Sequence, residues 1–543
     1  MLNIKELQNY GDLSVSTDLI IADGGSVENL SIDSYLRANS LKGKSESSEL
    51  TLFVNDGLLV LDENLQINAD SIVNNTNAKI FSDTITFNSN ADIVNGINST
   101  MYAGQVTLDA ENSINNSGLL QAEEFMALSA NQIINNETAE ISLIGNTDSD
   151  SLTMNAVGAL TNAGRISSQS QLMLNADTLN NTREILSAKT TQLNINTLNN
   201  VGLIYGNKLN VGSANQQVTD MSSSVRVINP SNPNGLVAAD TLSLYVTGVM
   251  KDVYQATDIN IHSSNDLVLS GNILASNRVG LSAKSFVINN NAQVSIGSGS
   301  DESIWDIAGN LTNNGELDTK SSLSITAAGI ENNKNIRADS NLTFNTKELT
   351  NNNLGMISVN ENFNISGVAA SDQDKATRFS NKGIIVTAQS LNVAAQEIVN
   401  ENSITVGADS YWSFDSLVNN SKKRISVDGI WTMGSSSDLV GDIDNSGKLY
   451  AKGFDINTKG SLHNNTSAQL VAYDGSFKYS GLSASSHIDN KGGLFIRERV
   501  EITAKSLTNT GNIEIIGKNT QNETIVESSS ITLSGDLKNG ISE

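Results

Sequence analysis

Few side chains in this sequence are of the kinds that do chemistry, and their spacing limits each of them. Cysteine is absent, which removes disulfides, cysteine-ligated zinc and thiol catalysis together. The three histidines, His262, His463 and His487, lie far apart in sequence and none has a partner at metal-ligand spacing. Asp442 and Asp444 share a strand face, as paired acids in a polysaccharide-cleaving enzyme would. Asp444 directly precedes the turn asparagine Asn445, however, and is expected to lack the basic companion such a site needs. Asp148 with Asp150, and Asp372 with Asp374, are expected in inserted loops as solvated acids. Asp442, Asp444, Ser446 and Gly447 open like a calcium-binding helix–loop–helix loop, but the twelfth position is Gly453 where a bidentate glutamate is required. The glycine-rich calcium nonapeptide is missing too, and no glycine-rich stretch leads into a helix to cradle phosphate. No catalytic, cofactor-binding or metal residue is therefore assigned, and no cofactor is expected. Lys422-Lys423-Arg424 is the one compact basic cluster; it could meet an acidic glycan or simply keep an exposed loop soluble.

Composition narrows the partners. The 543 residues carry 33 basic and 58 acidic side chains, a formal charge of −25, which repels phosphate backbones and anionic headgroups within a Debye length. Nucleic acid and membrane insertion are excluded as expectations. No segment has the ~18 apolar residues of a membrane helix, and Met1–Asp12 lacks the basic start and apolar stretch of a signal peptide, as a mature or excised piece of a larger protein would. Only 2 residues are proline, while 73 are asparagine and 41 glycine. Such a bias needs a structural cause.

The cause is a repeat. An aliphatic residue, any residue, asparagine, any residue, often glycine, then an aliphatic two further on recurs as Leu160-Thr161-Asn162-Ala163-Gly164-Arg165-Ile166 and as Leu311-Thr312-Asn313-Asn314-Gly315-Glu316-Leu317. The anchoring asparagines run from Asn55 through Asn74, Asn95, Asn116, Asn135, Asn162, Asn181 and Asn200, resume at Asn313 and continue to Asn539, with Asn9 as a front-end unit. Ten of the steps are 19 residues, and the longer ones read as insertions at a tolerant corner. From Asn162 the apolar positions are Ile166, Leu172, Leu174, Ala176 and Leu179. The middle three alternate with period two, which marks a strand buried on one face; nothing sustains a helical period. A parallel β-solenoid of about 25 coils satisfies this, with like side chains stacked about 4.8 Å apart. Three stretches follow: coils over 1–200, irregular coils with a projecting loop over 201–289, and coils again over 290–543.

Each anchoring asparagine can then donate to and accept from the asparagine one coil away, forming a ladder that spares a buried amide the roughly 1–3 kcal/mol of going unpaired. The alternative, glycan acceptors at Asn98-Ser99-Thr100, Asn136-Glu137-Thr138 and Asn341-Leu342-Thr343, is what chance supplies in so Asn-, Ser- and Thr-rich a chain. Glycine two residues after the anchor, as at Gly164 and Gly315, is expected to supply positive φ at the bend. Trp412 and Trp431 are 19 apart, as are Phe414 and Met433, so each pair should stack in adjacent coils. Both tryptophans fall on the inward face, as core and not as a sugar-stacking platform.

The Leu-x-Asn-x-Gly-x-Ile unit resembles the repeats of filamentous haemagglutinins and contact-dependent growth inhibition exoproteins of the two-partner secretion class, over about 55–200 and 290–540. The resemblance implies a right-handed parallel β-helix serving as a non-enzymatic stalk of an adhesin-like exoprotein. Such a stalk would be extracellular or displayed on a Gram-negative cell surface and exported through an outer-membrane two-partner secretion transporter. It would meet a host or bacterial cell-surface receptor or glycan. Two motifs depart from the family pattern. Asn232-Pro233-Asn234-Gly235 looks like the family's secretion-domain motif but lies mid-chain, and Ile330-Glu331-Asn332-Asn333 is close to the toxin-junction motif yet sits in repeat register. The alternatives are a growth-inhibition delivery stalk lacking its toxin domain, a polysaccharide-degrading β-helix enzyme, and a purely structural matrix or fibre protein. Binding is expected in inserted segments projecting from one edge: Glu137–Gly158, Asn215–Gly235, Ser366–Ser380, Asn420–Asp438 and Gly475–Ser486.

Overall fold

A computed structural model describes residues 2–43, 49–222, 235–368, 375–518 and 529–540. Among them there is no helix; the strands pair in parallel and stack as a β-solenoid of about 23 turns, consistent with the right-handed β-helix of about 25 coils. The chain forms two compact units, one of Met1–Ser263 with Gly271–Leu274 and one of Ser264–Ser270 with Ala275–Glu543.

The coil that follows Asn162 shows the plan for both units. A short strand, Arg165–Ser168, points Ile166 and Ser168 inward and forms face A. A second strand, Gln171–Asn181, points Leu172, Leu174 and Ala176 inward, then places Asp177 and Thr178 outward in succession before Leu179 and Asn181 turn in. That break in alternation rotates the chain onto a new side, so 171–176 form face B and 178–181 face C. Leu174 pairs with Leu193, Leu179 with Leu198 and Asn181 with Asn200, each 19 residues on.

In the first unit the anchoring asparagines form one unbroken chain of hydrogen bonds. Asn162 Nδ2 donates to Asn181 Oδ1 at 2.8 Å and Asn181 Nδ2 to Asn200 Oδ1 at 2.8 Å, and the file extends back to Asn9. It includes Asn29, which the repeat pattern misses because its neighbouring steps are irregular and no glycine follows it. Every member of this file but Asn29 also donates to a backbone carbonyl, as Asn162 Nδ2 does to Glu184 O at 2.9 Å, so these buried side chains are well satisfied. The second unit repeats the arrangement from Asn313 to Asn539.

Between 201 and 289 strands such as Val253–His262 and Asn272–Ala283 are present, and the pairing shifts register between Gly206 and Lys208 and between Val237 and Thr241. The file itself also changes: Met250 ends the equivalent strand in the first unit, and Leu269 and Ile288 occupy it in the second, where Leu269 pairs with Ile288 and Ile288 with Asn313. All three are fully buried. In the first unit Asn200 Nδ2 finds another acceptor, Asp252 Oδ2 at 3.2 Å, so a carboxylate receives the last donor of the ladder. Asp252 N donates to the hydroxyl of Tyr254, whose burial pushes its phenol far above the usual tyrosine range.

The glycines after the anchor serve a different purpose from the one expected. None of Gly118, Gly164, Gly315 or Gly447 has a positive φ; instead, a Cβ on Gly164 would strike the carbonyl oxygens of Ala139 and Asn136 in the preceding coil. Close stacking, not left-handed backbone, demands glycine there. Positive φ belongs to a longer version of the same corner, at Asn77 (64°), Asn98 (55°), Lys422 (63°) and Ser467 (68°). That version adds two residues and accounts for the 21-residue steps. Larger insertions do not share one edge: 144–150 join face A to face B, whereas 434–441 and 482–486 join face B to face C.

Candidate binding surfaces

The tryptophans lie in the core. Trp412 and Trp431 are 0% exposed with ring centroids 4.7 Å apart, and the stack continues through Phe454 and Phe477. Their register is not the expected one: Trp412 pairs with Met433, and Ser410 with Trp431. The two extra corner residues at Lys422 shift this coil by two, so Phe414 and Met433 are not partners.

The candidate acids are tied to local structure. Asp442 Oδ1 accepts the backbone N–H of Ser461 at 2.8 Å, and Asp444 accepts a hydrogen bond from Asn465. Lys189 bonds exposed Asp148 at 2.6 Å and holds its carboxyl below the usual range. Asp150 is not a solvated loop acid: it is buried and accepts the N–H of Thr147 at 2.8 Å. Asp372 and Asp374, like Asn232-Pro233-Asn234, lie outside the described residues. The basic cluster is divided, with Lys422 at the tip of the corner while the Arg424 guanidinium lies 5.0 Å over the Tyr450 ring and donates to Ser426.

Sequence distance misled for the histidines. The rings of His463 and His487 meet edge to face at 5.2 Å, because the intervening coil brings 463 and 487 to one side of face C. Asp489 Oδ2 is 3.9 Å from His463 Nδ1 and 2.9 Å from Lys491 Nζ, and His487 Nδ1 is 2.9 Å from Ser461 Oγ. Among the described residues no group of three or more His, Cys, Asp or Glu is placed to hold a metal ion.

Two features had no counterpart in the sequence reading. One is an ion-pair cluster at the face B–C corner of the second unit. Lys375, its side chain only 17% exposed, lies 3.7 Å from Asp415 and 3.5 Å from Asp438, while Lys459 lies 3.7 Å from Asp415. Burial raises the Asp438 carboxyl, but its contacts with Ser413, Lys375 and Tyr411 outweigh that and hold it below the usual range. Two ammonium groups balance two carboxylates, so the cluster clamps the 434–441 insertion onto the coil wall. Only the insertion lengths hinted that such loops could meet.

The other feature is a groove in the first unit, of about 540 Å³, at the bend between faces B and C. The small side chains of Ala156 and Ala176 recess its floor. One wall carries Asn155, Asn175 and Asn194, joined by bonds of 2.6 and 2.7 Å. The other carries Asp177, Asn196 and Gln216, joined at 2.9 and 3.2 Å. The recurrence of asparagine one position before the last inward residue of face B was the available signal, overshadowed by the stronger anchor file.

No protein-family model matches the chain, and neither a curated protein nor a solved structure matches it.

Proposed function

We propose that the chain is a non-enzymatic stalk segment of an adhesin-like exoprotein, displayed outside the cell and presenting surface for attachment. The observation that carries this reading is the economy of the coil: each 19-residue circuit stacks on the one before, and hydrogen-bonded asparagines lock the stack. A chain built this way gains reach and a laterally repeated exterior with each coil added. The resemblance of its Leu-x-Asn-x-Gly-x-Ile unit to filamentous haemagglutinin repeats supports the same reading, with export through a two-partner transporter and a cell-surface receptor or glycan as partner. A strongly acidic exterior favours colloidal separation from other acidic surfaces and places contact in short-range, specific interactions.

The test is attachment. Beads coated with the chain at defined density should adhere to host epithelial or bacterial cells under flow, more strongly than beads carrying an equally acidic unrelated protein. Equal retention of both would overturn the adhesin reading. Incubation with acidic and neutral polysaccharides should yield no new chain ends, and their appearance would establish the polysaccharide-degrading alternative. The delivery-stalk alternative predicts growth arrest of neighbouring cells when the chain is expressed with the coding sequence that follows it.

A further inference from the structure

We propose that the groove over Ala156 and Ala176 binds a linear, uncharged glycan laid along the stack of coils. This rests on the adhesin reading and names the chemical class of its ligand.

Charge is the first argument. The chain carries −25 overall, and the one charged side chain lining the groove is an acid, Asp177, whose carboxylate accepts a hydrogen bond from Asn196. An acidic polymer gains nothing there and is repelled by the rest of the surface. A neutral polyol meets no such penalty.

The functional groups are the second. A carboxamide offers two donors and an acceptor oxygen with two lone pairs, and a sugar hydroxyl likewise donates and accepts. Asn175 donates to Asn155 and accepts from Asn194, while Asn196 donates to Asp177 and accepts from Gln216. These bonds fix how the amides are turned and use only part of their capacity, leaving pre-oriented groups on both walls and lowering the ordering cost of binding. Val157, 81% exposed at the rim, offers an aliphatic surface to the C–H face of a pyranose ring.

Spacing is the third. Equivalent amides recur at the strand-to-strand distance of about 4.8 Å, close to the length of one sugar residue in an extended glycan. Successive sugars therefore meet successive rungs in like fashion.

The experiment uses the full chain in calorimetric titration with cellohexaose, maltohexaose and N-acetylated chitohexaose, with polygalacturonate as the acidic control. At least one neutral probe is expected to bind saturably, changing less than about twofold when salt is raised to about 0.5 M. The double variant Asn194→Ala/Asn196→Ala should weaken that binding at least about tenfold, the loss of one or two good hydrogen bonds, and Lys79→Ala on face A should leave it unchanged. If thermal melting shows the double variant misfolded, Gln216→Ala carries the same test. Absence of binding to every neutral probe, preference for polygalacturonate, or equal weakening by Lys79→Ala would each overturn the proposal. Bead attachment with no glycan binding would sink this inference alone; glycan binding without bead attachment would sink the adhesin reading alone.

Discussion

Two kinds of coil fill the same angular position by opposite means. Around Asn162, Asn181 and Asn200 a buried amide file is stabilised because each member has a neighbour of its own kind. At Met250, and at Leu269 and Ile288, an aliphatic side chain takes that place with no polar group to satisfy. Both solutions bury completely, so burial does not explain the preference for asparagine. A leucine file would hold under a slip of register, whereas an amide file loses its hydrogen bonds when a coil slides. Asparagine thus contributes specificity of register beyond cohesion, and Asp252 shows that the file needs an acceptor where it stops.

The comparison can be broken most severely at Leu269. Leu269→Asn removes a buried aliphatic chain and introduces an amide with no asparagine neighbour, at an expected cost of about 4 kcal/mol. Adding Ile288→Asn, which pairs with both position 269 and Asn313, should restore part of that loss. A double variant melting below the sum of the two single losses would contradict a cooperative file. The converse change, Asn332→Leu, removes the acceptor of Asn313 Nδ2, which keeps only Asn335 O, and the donor to Asn351 Oδ1, and should cost about 3 kcal/mol, read as faster hydrogen exchange in the flanking coils. Gly164→Ala should cost about 2 kcal/mol through forced separation of coils, while Gly11→Ala, with open space around it, should be nearly neutral; equal effects would refute the close-approach account. The smallest effect concerns the clamp. Because the Asp438 carboxyl is held below its ordinary value, its contribution is present at neutral pH and fades as pH falls through the carboxylate range. Protease cleavage within 434–441 should accelerate there in the parent chain and much less in Asp438→Asn.

The parts of the architecture that repeat were legible in the amino-acid sequence. Period, inward offsets and the anchor file follow from residues such as Leu172, Leu174 and Asn181, because each coil sees the same surroundings as the next. Whatever breaks the period was hidden. Two added residues at Lys422 shifted the tryptophan register, an apolar substitution at Leu269 removed the only ruler through 201–289, and Asn29 lacked the glycine that marks its counterparts. The groove, the ion-pair clamp and the meeting of His463 with His487 arise between coils, where separation along the chain no longer measures separation in space. Their residues carry no mutual signal in one dimension.

The asparagine file also has a direction. In every bond the nitrogen of the earlier residue reaches the oxygen of the later one, so at any moment during winding the growing end presents a waiting N–H, never a waiting carbonyl. A newly arriving segment is thereby captured by the one already placed, and each capture creates the template for the next. Such a polypeptide is suited to ratchet itself into shape from its amino-terminal coil onward, one circuit at a time, without needing its far end in hand.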